Sequence, residues 1–500
     1  MQVALRTLGC KVNQFETQAI AEQFQEQGCI LVHDFETADI ILINTCTVTA
    51  KAAYQSRQAI NRALRENPEA IVAATGCYVQ VGSTEIVDRI GPRILMIGND
   101  MKAEAASICL FAASGTKTNF GIYIGEIRNM LRIAPLKISM PGSRARVYLK
   151  VQDGCNAFCS YCIVPYARGR SRSMPVEEVV KQVELLRDHG VREIVITGIH
   201  VGAYGADLPE NPDLLRLFIR LCSGFPDLWF RLSSIEPAEL TGDFLDFAAS
   251  TENFCHHLHV PLQSGSGKVL RAMKRGYTPE EYRATILKIV EKMPDACIGT
   301  DVLTGFPAEG VEEFMETVNF LKDLPVSYVH AFPYSRRPGT EASGFNSLST
   351  KKEAARRAAL IREIGEEKRI AFYRQNLGGT MPAIVEQVKE WGQAKKETTG
   401  NGDEGKTQIA GAEPVSETKA VAICRTSNYI PVMVPVTENP AKNLAAPVQK
   451  NRIITLTIER LDENNNMVWG QAKKPLSPAR SKARSNRANT TPCQTRITED

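Results

Sequence analysis

Between Arg146 and about Ser335 the sequence carries six short, apolar, β-rich runs: Val147–Val151, Glu193–Thr197, Trp229–Leu232, Leu258–Leu262, Ile298–Leu303 and Tyr328–Pro333. Helical patterns separate them, among them Val176–Asp188, Pro279–Lys292 and Val311–Leu321. Strand–helix alternation sustained over such a length restricts the chain to parallel pairing, because each helix serves as the crossover between neighbouring strands. Six units are short of the eight that close a full barrel, so the pattern predicts an open, partial (β/α)6 barrel.

The rest of the 500 residues exceeds what one core can use, and roughly two to four domains are expected at about 100–200 residues each. Residues 1–112 alternate apolar runs (Val3–Leu8, Ile40–Ile43, Ile71–Ala74) with helical stretches (Gln14–Gln27, Lys51–Arg65), which predicts an open parallel α/β domain. A linker, 113–142, leads to the barrel region, 143–370, which ends on the charged helix Lys351–Arg374. Runs at Met381–Val388, Val421–Ile423, Tyr429–Val434 and Ile453–Ile458 predict a small all-β domain over 371–460. A polar insertion, 395–418, and a basic tail, 475–500, are expected to be disordered. The fold class is thus α/β followed by a small β-barrel.

No apolar run is long enough to span a membrane, and the N-terminus lacks the pattern of a signal peptide. A cytoplasmic location is expected. In that reducing setting 13 cysteines, an odd number, point to metal binding or catalysis and away from disulfides. The net charge of +4 allows a nucleic-acid surface only as a local patch.

Cys155-Asn156-Ala157-Phe158-Cys159-Ser160-Tyr161-Cys162 directly follows the first barrel strand, where loops form the active face of such folds. Three thiolates within eight residues can hold a 4Fe–4S cluster and leave one iron open. A zinc site needs a fourth ligand; no histidine lies nearby in sequence, so a distant one would have to fold in. Three further cysteines, Cys10, Cys46 and Cys77, each follow a predicted strand. In an open parallel sheet those strand ends share one edge, so the three are able to converge despite spacings of 36 and 31 residues. Buried core cysteines are the plain alternative. Cys29, Cys109, Cys222, Cys255, Cys297 and Cys424 are read that way, and Cys493 as incidental.

The C-x3-C-x2-C spacing with Tyr161 before its last cysteine resembles the signature of radical S-adenosylmethionine enzymes. In that superfamily the open iron chelates S-adenosylmethionine, whose reductive cleavage releases a 5′-deoxyadenosyl radical. Leu8-Gly9-Cys10-Lys11-Val12-Asn13-Gln14, Asn44-Thr45-Cys46-Thr47-Val48-Thr49 and Thr75-Gly76-Cys77-Tyr78 resemble the N-terminal domain of the methylthiotransferases within it. The likeness continues through Val164–Ser173, Arg231–Pro237, His259–Ser266, Met273–Tyr277 and Gly299–Glu309, and covers roughly residues 1–345. It implies a second, auxiliary 4Fe–4S cluster on Cys10, Cys46 and Cys77, beside the radical cluster on Cys155, Cys159 and Cys162.

The resemblance implies S-adenosylmethionine contacts at Thr197, Gly198, Ser234, Glu236 and Gly305. Turn formation is the alternative for the glycines, and helix capping for Ser234 and Glu236. Arg168, Arg170, Arg172, Arg336 and Arg337, with Arg144, Arg146 and Lys150, are candidate RNA contacts, since arginine forks onto phosphates and stacks on bases. A solvated charged loop is the alternative. The C-terminal β-domain resembles the TRAM RNA-binding barrel, best at Thr426–Val432.

The segment around Cys10 looks most like the branch acting on N6-threonylcarbamoyladenosine 37, beside the tRNA anticodon. The implied reaction is radical insertion of a methylthio group at C2, drawing on an unidentified electron donor. Sister branches act on N6-isopentenyladenosine 37 or on an aspartate of a ribosomal protein. Two readings of other classes stand beside it: a non-catalytic iron–sulfur RNA-binding protein, and an electron carrier, which would close every iron with a fourth ligand.

Overall fold

The computed structural model describes residues 1–115, 121–139, 145–390, 420–436, 448–462 and 467–475. The insertion 395–418, the basic tail, Arg144 and Cys493 lie outside the described residues.

The N-terminal sheet has six parallel strands in the order Ile30–Val32, Gln2–Thr7, Ile40–Thr45, Ile71–Gly76, Leu95–Ile97, Ile122–Tyr123. Ile40–Thr45 is buried at every position, as a strand covered on both faces must be. The direction of winding reverses between Gln2–Thr7 and Ile40–Thr45, and such a switch point opens a crevice at the carboxyl ends of the strands. The edge strand Ile122–Tyr123 comes from the segment expected to be linker.

All six barrel strands form, within two residues of the expected bounds at most ends: Arg146–Lys150, Glu193–Thr197, Trp229–Leu232, His257–His259, Cys297–Thr304 and Tyr328–Pro333. The fourth stops three residues early, at His259. They make two parallel three-stranded sheets, joined by the bridges Phe230↔Phe254 and Ser234↔His259. No ladder joins the first strand to the sixth among the described residues, so the barrel is partial.

Thr380–Glu390, Ala420–Thr426, Pro431–Val436, Ile453–Asp462 and Met467–Pro475 close a five-stranded barrel. Its last strand, MVWGQAKKP, lies beyond the expected boundary at 460; its polar second half conceals it from a hydrophobic pattern. The stretch Thr426–Val432 has a docking role. Arg231, fully buried, donates to Ser427 O (3.0 Å) and Thr426 O (3.3 Å) and to Glu193 Oε1 (2.6 Å). Tyr429 stacks on His257 with centroids 3.9 Å apart. Arg146 is held there as well, 2.9 Å from Glu386. No helix of the described residues is long and apolar enough to cross a membrane.

Candidate active site

Cys10, Cys46 and Cys77 do share the carboxyl edge of the first sheet. Cys10 is the N-cap of the helix Lys11–Glu26, and Cys77 opens the helix Cys77–Ile90. Burial pushes the Cys10 thiol up, against the Arg168 guanidinium, which favours its ionised form. Gly9 and Gly76, at φ +98° and +99°, make the turns into these helices. A Cβ on Gly9 would stand 2.9 Å from Cys46 Sγ, and one on Gly76 only 2.4 Å from Thr45 O. Only glycine allows both the left-handed backbone and the close approach. Ser56 fixes the Cys46 loop, donating to Cys46 O (2.9 Å) and accepting from Cys46 N–H (3.1 Å).

The sulfurs of each set sense one another. Burial, then repulsion from Cys77 and Cys10, pushes the Cys46 thiol up to about 12. Burial, then Cys159 and Cys155, does the same to Cys162, against a favourable backbone N–H from Val164. Such mutually opposed thiols ionise together only around a cation. No three His, Cys, Asp or Glu side chains among the described residues are arranged for a single metal ion. A cubane, which takes its thiolates at separate corners, suits both donor sets.

Around the second set, His200 Nδ1 lies 3.7 Å from Cys155 Sγ, and its Nε2 lies 2.6 Å from Glu239 Oε1. Hydrogen bonding to Cys155 and then to Glu239 raises His200 to about 10. Arg275 donates to Cys159 Sγ (3.4 Å) and pairs with Glu236. Two of the three sulfurs therefore face cationic donors. Tyr161 meets Phe306 edge-on at 6.4 Å, packing the cluster loop onto the end of the fifth strand.

The S-adenosylmethionine candidates divide. Thr197 and Gly198 end the second strand, with Gly198 packed on Gln152, whose Oε1 accepts from His200 N–H (2.8 Å). Ser234 is exposed at the rim, and Glu236 turns toward Arg275. Glu236 also caps the short helix Pro237–Glu239, its N–H donating to Glu239 Oε2 at 3.1 Å. Gly305 follows the fifth strand and is closely packed. At φ +70° its missing Cβ makes room for Ala354, 2.3 Å from where that Cβ would lie.

The arginines are the main correction. Arg168 is fully buried. It donates to Glu16 Oε1 (2.7 Å), Asp153 Oδ1 (3.1 Å), Asn13 Oδ1 (2.6 Å) and Cys77 Sγ (3.3 Å). Lys150 is buried on Glu16 (2.9 Å) and Asp153 (3.0 Å). Arg172 is buried and donates to Arg168 O at 2.8 Å. Arg337 is buried against Thr47 Oγ1, and the nearby Ser335 Oγ accepts from Ala50 N–H at 2.8 Å. Arg168, Lys150 and Arg337 join the two α/β regions, Arg172 braces Arg168 from within its own region, and none of the four faces a polyanion. Arg170 and Arg336 are exposed. Arg170 lines an open cavity of about 580 Å³ with Arg128, Phe158 and Tyr166. There Phe158 meets Tyr166 edge-on at 5.8 Å, and Arg128 lies over the Tyr166 ring at 5.6 Å.

His200, Glu239, Arg275, Asn13, Glu16 and Lys102 are site residues that the sequence patterns do not single out. One signal was available. Asn13 and Glu16 stand one turn apart on a helix whose neighbours Phe15, Ala19 and Ile20 are core residues. Polar groups on that buried face require partners.

A partial barrel with a three-cysteine loop after its first strand defines a radical S-adenosylmethionine protein. The sequence matches the Radical SAM superfamily over residues 149–321 and "Uncharacterized protein family UPF0004" over 2–98. It is 40% identical over 385 residues to the threonylcarbamoyladenosine tRNA methylthiotransferase MtaB of Aquifex aeolicus, covering 77% of this chain and 93% of that one. It is 32% identical to a tRNA-2-methylthio-N(6)-dimethylallyladenosine synthase of Fusobacterium nucleatum, covering 74% and 85%. The chain belongs to the radical S-adenosylmethionine methylthiotransferase family. Among solved structures, the radical S-adenosylmethionine methyltransferase TsrM of Kitasatospora setae shares the fold, with a TM-score of 0.52 at 17% identity over 68% of this chain and 74% of that one.

Proposed function

We propose that the protein inserts a methylthio group at C2 of N6-threonylcarbamoyladenosine 37 in tRNA, using two 4Fe–4S clusters. The observation that carries this reading is the pair of three-cysteine sets, one in each α/β region, with Arg168 bonded both to Cys77 Sγ and to Asp153, two residues before Cys155. The 40% identity to a relative named for threonylcarbamoyladenosine, nearly all of which the chain covers, favours this branch. When bound, the clusters and S-adenosylmethionine supply hydrogen abstraction, sulfur and methyl; an external one-electron donor is also required.

The chain's own residues orient and insulate. Arg275 and His200 hold Cys159 and Cys155 in place, with their own positions fixed by Glu236 and Glu239. Thr197, Gly198, Ser234, Glu236 and the Gly305 backbone are the residues assigned to S-adenosylmethionine. Arg170 and Arg336, with Phe158 and Tyr166, offer charge and stacking surface to the anticodon loop, and the C-terminal barrel adds a second RNA contact.

The test is nucleoside mass spectrometry of total tRNA from the host with and without the gene. The expected result is loss of 2-methylthio-N6-threonylcarbamoyladenosine with accumulation of its unthiolated precursor. Loss of the isopentenyl counterpart would overturn the branch and keep the chemistry. No change in either, with no second enzyme present, would overturn the tRNA reading.

A further inference from the structure

A buried polar network lies between the two α/β regions, with three basic side chains gathered on two carboxylates. Lys102, Lys150 and Arg168 are its cations; Glu16 and Asp153 are its carboxylates. Lys102 Nζ lies 2.6 Å from Glu16 Oε2, and all five side chains are buried. Burial works against the charge on Lys102, whereas the Arg168 guanidinium stays charged and needs every one of its donors met at this depth. Arg172 adds another buried guanidinium directly behind Arg168.

Arg168 also has a partner outside the carboxylates. Arg168 splits its five donors between this network and Cys77. Its Nη atoms go to Glu16, Asp153 and Asn13, while Nε points at Cys77 Sγ, 3.3 Å away. Asn99 joins from the other side, donating to Ala167 O at 2.8 Å with the same nitrogen 4.0 Å from Cys77 Sγ. The position of Arg168 in the chain matters equally. It ends the short helix Val164–Arg168, which begins two residues after Cys162. Glu16 and Asn13 sit on the helix that Cys10 caps. One guanidinium thus ties the peptide leaving one cysteine set to a sulfur and a helix of the other.

We propose that Arg168 is a positioning residue for the auxiliary cluster: it holds the Cys77 thiolate by a charge-assisted N–H···S bond and fixes the auxiliary set against the radical loop. This rests on the reading that Cys10, Cys46 and Cys77 carry a cluster. Hydrogen bonds to cluster sulfurs and nearby positive charge favour the reduced, more negative state. Arg168 therefore raises the reduction potential of the auxiliary cluster and slows its loss of iron. Arginine is required because lysine, a point donor, cannot serve Cys77, Glu16, Asp153 and Asn13 together.

The experiment compares full-length wild type, Arg168→Lys and Arg168→Gln, each reconstituted anaerobically, with a Cys155→Ala/Cys159→Ala/Cys162→Ala background isolating the auxiliary signal. EPR-monitored redox titration and iron release to a chelator are the readouts, with circular dichroism to establish folding. In folded Arg168→Gln the auxiliary potential is expected to shift negative and cluster affinity to fall about 10–100-fold, as losses around metal ligands do. Arg168→Lys should lie between Gln and wild type in potential. Unchanged potential and iron release in both variants would overturn the proposal. So would equal loss of both clusters, in the variants with the radical cysteines intact, together with a collapsed melt in Lys as well as Gln, since Arg168 would then serve folding alone. Wild type that binds only about four irons per chain would instead defeat the second-cluster reading.

Discussion

The two cysteine sets solve one problem in opposite ways. Cys155, Cys159 and Cys162 share a single loop, so local chain geometry nearly assembles them. Cys10, Cys46 and Cys77 come from three loops, and only the finished parallel sheet brings them together. The first is therefore visible as spacing, and the second only as topology. The second also depends on more partners: Gly9 and Gly76 for the turns, Ser56 for one loop, Arg168 for a sulfur, Arg337 for Thr47.

That contrast is open to direct attack. The largest expected effect comes from removing ligands. Cys155→Ala should reduce S-adenosylmethionine cleavage to background. Cys46→Ala should keep cleavage and abolish only methylthio product. Chromatography of 5′-deoxyadenosine beside nucleoside mass spectrometry separates the two, and equal loss of cleavage in both variants would erase the contrast. Next comes the sheet itself. Ile41→Ala, at a fully buried site in the core of the N-terminal sheet, should cost about 2–5 kcal/mol and deplete the auxiliary cluster selectively. Iron analysis showing both clusters depleted alike would mean that the sets do not differ in their dependence on the sheet.

A smaller effect is expected of Gly9→Ala. The positive φ alone costs about 1–2 kcal/mol, and the added methyl crowds Cys46. The matched change Gly276→Ala, with nothing within 4 Å, should leave both clusters intact. Confined to the surface, and least disruptive of the clusters, is Phe158→Ala, at a half-exposed ring of the radical loop. It should leave cluster content unchanged and weaken tRNA binding by about 1–3 kcal/mol, the worth of one stacked base. Unchanged affinity in a filter-binding titration would remove Phe158 from the RNA surface.

The sequence made the six barrel strands and both cysteine sets legible, because alternation and strand ends carry that information without any knowledge of packing. It hid the fates of the arginines. An arginine in a polar loop reads as solvated, and burial becomes apparent only when a partner such as Glu16, 152 residues before Arg168, is folded against it. Ile122–Tyr123 and Met467–Pro475 escaped for a related reason. One is a two-residue edge strand, the other is half polar, and both are strands by virtue of a neighbour's backbone. Tyr429 looked like part of an RNA-binding motif, yet its ring is occupied by His257 and three arginines of the domain junction.

The central claim is two clusters on two cysteine sets. Iron and sulfide analysis with Mössbauer spectroscopy tests it on three anaerobically reconstituted proteins: wild type, the Cys155/Cys159/Cys162→Ala variant, and the Cys10/Cys46/Cys77→Ala variant. About eight irons in the wild type and about four in each variant, all as 4Fe–4S, is the expected result. About four irons in the wild type, with none left once either set is removed, would mean a single shared site and would contradict the account.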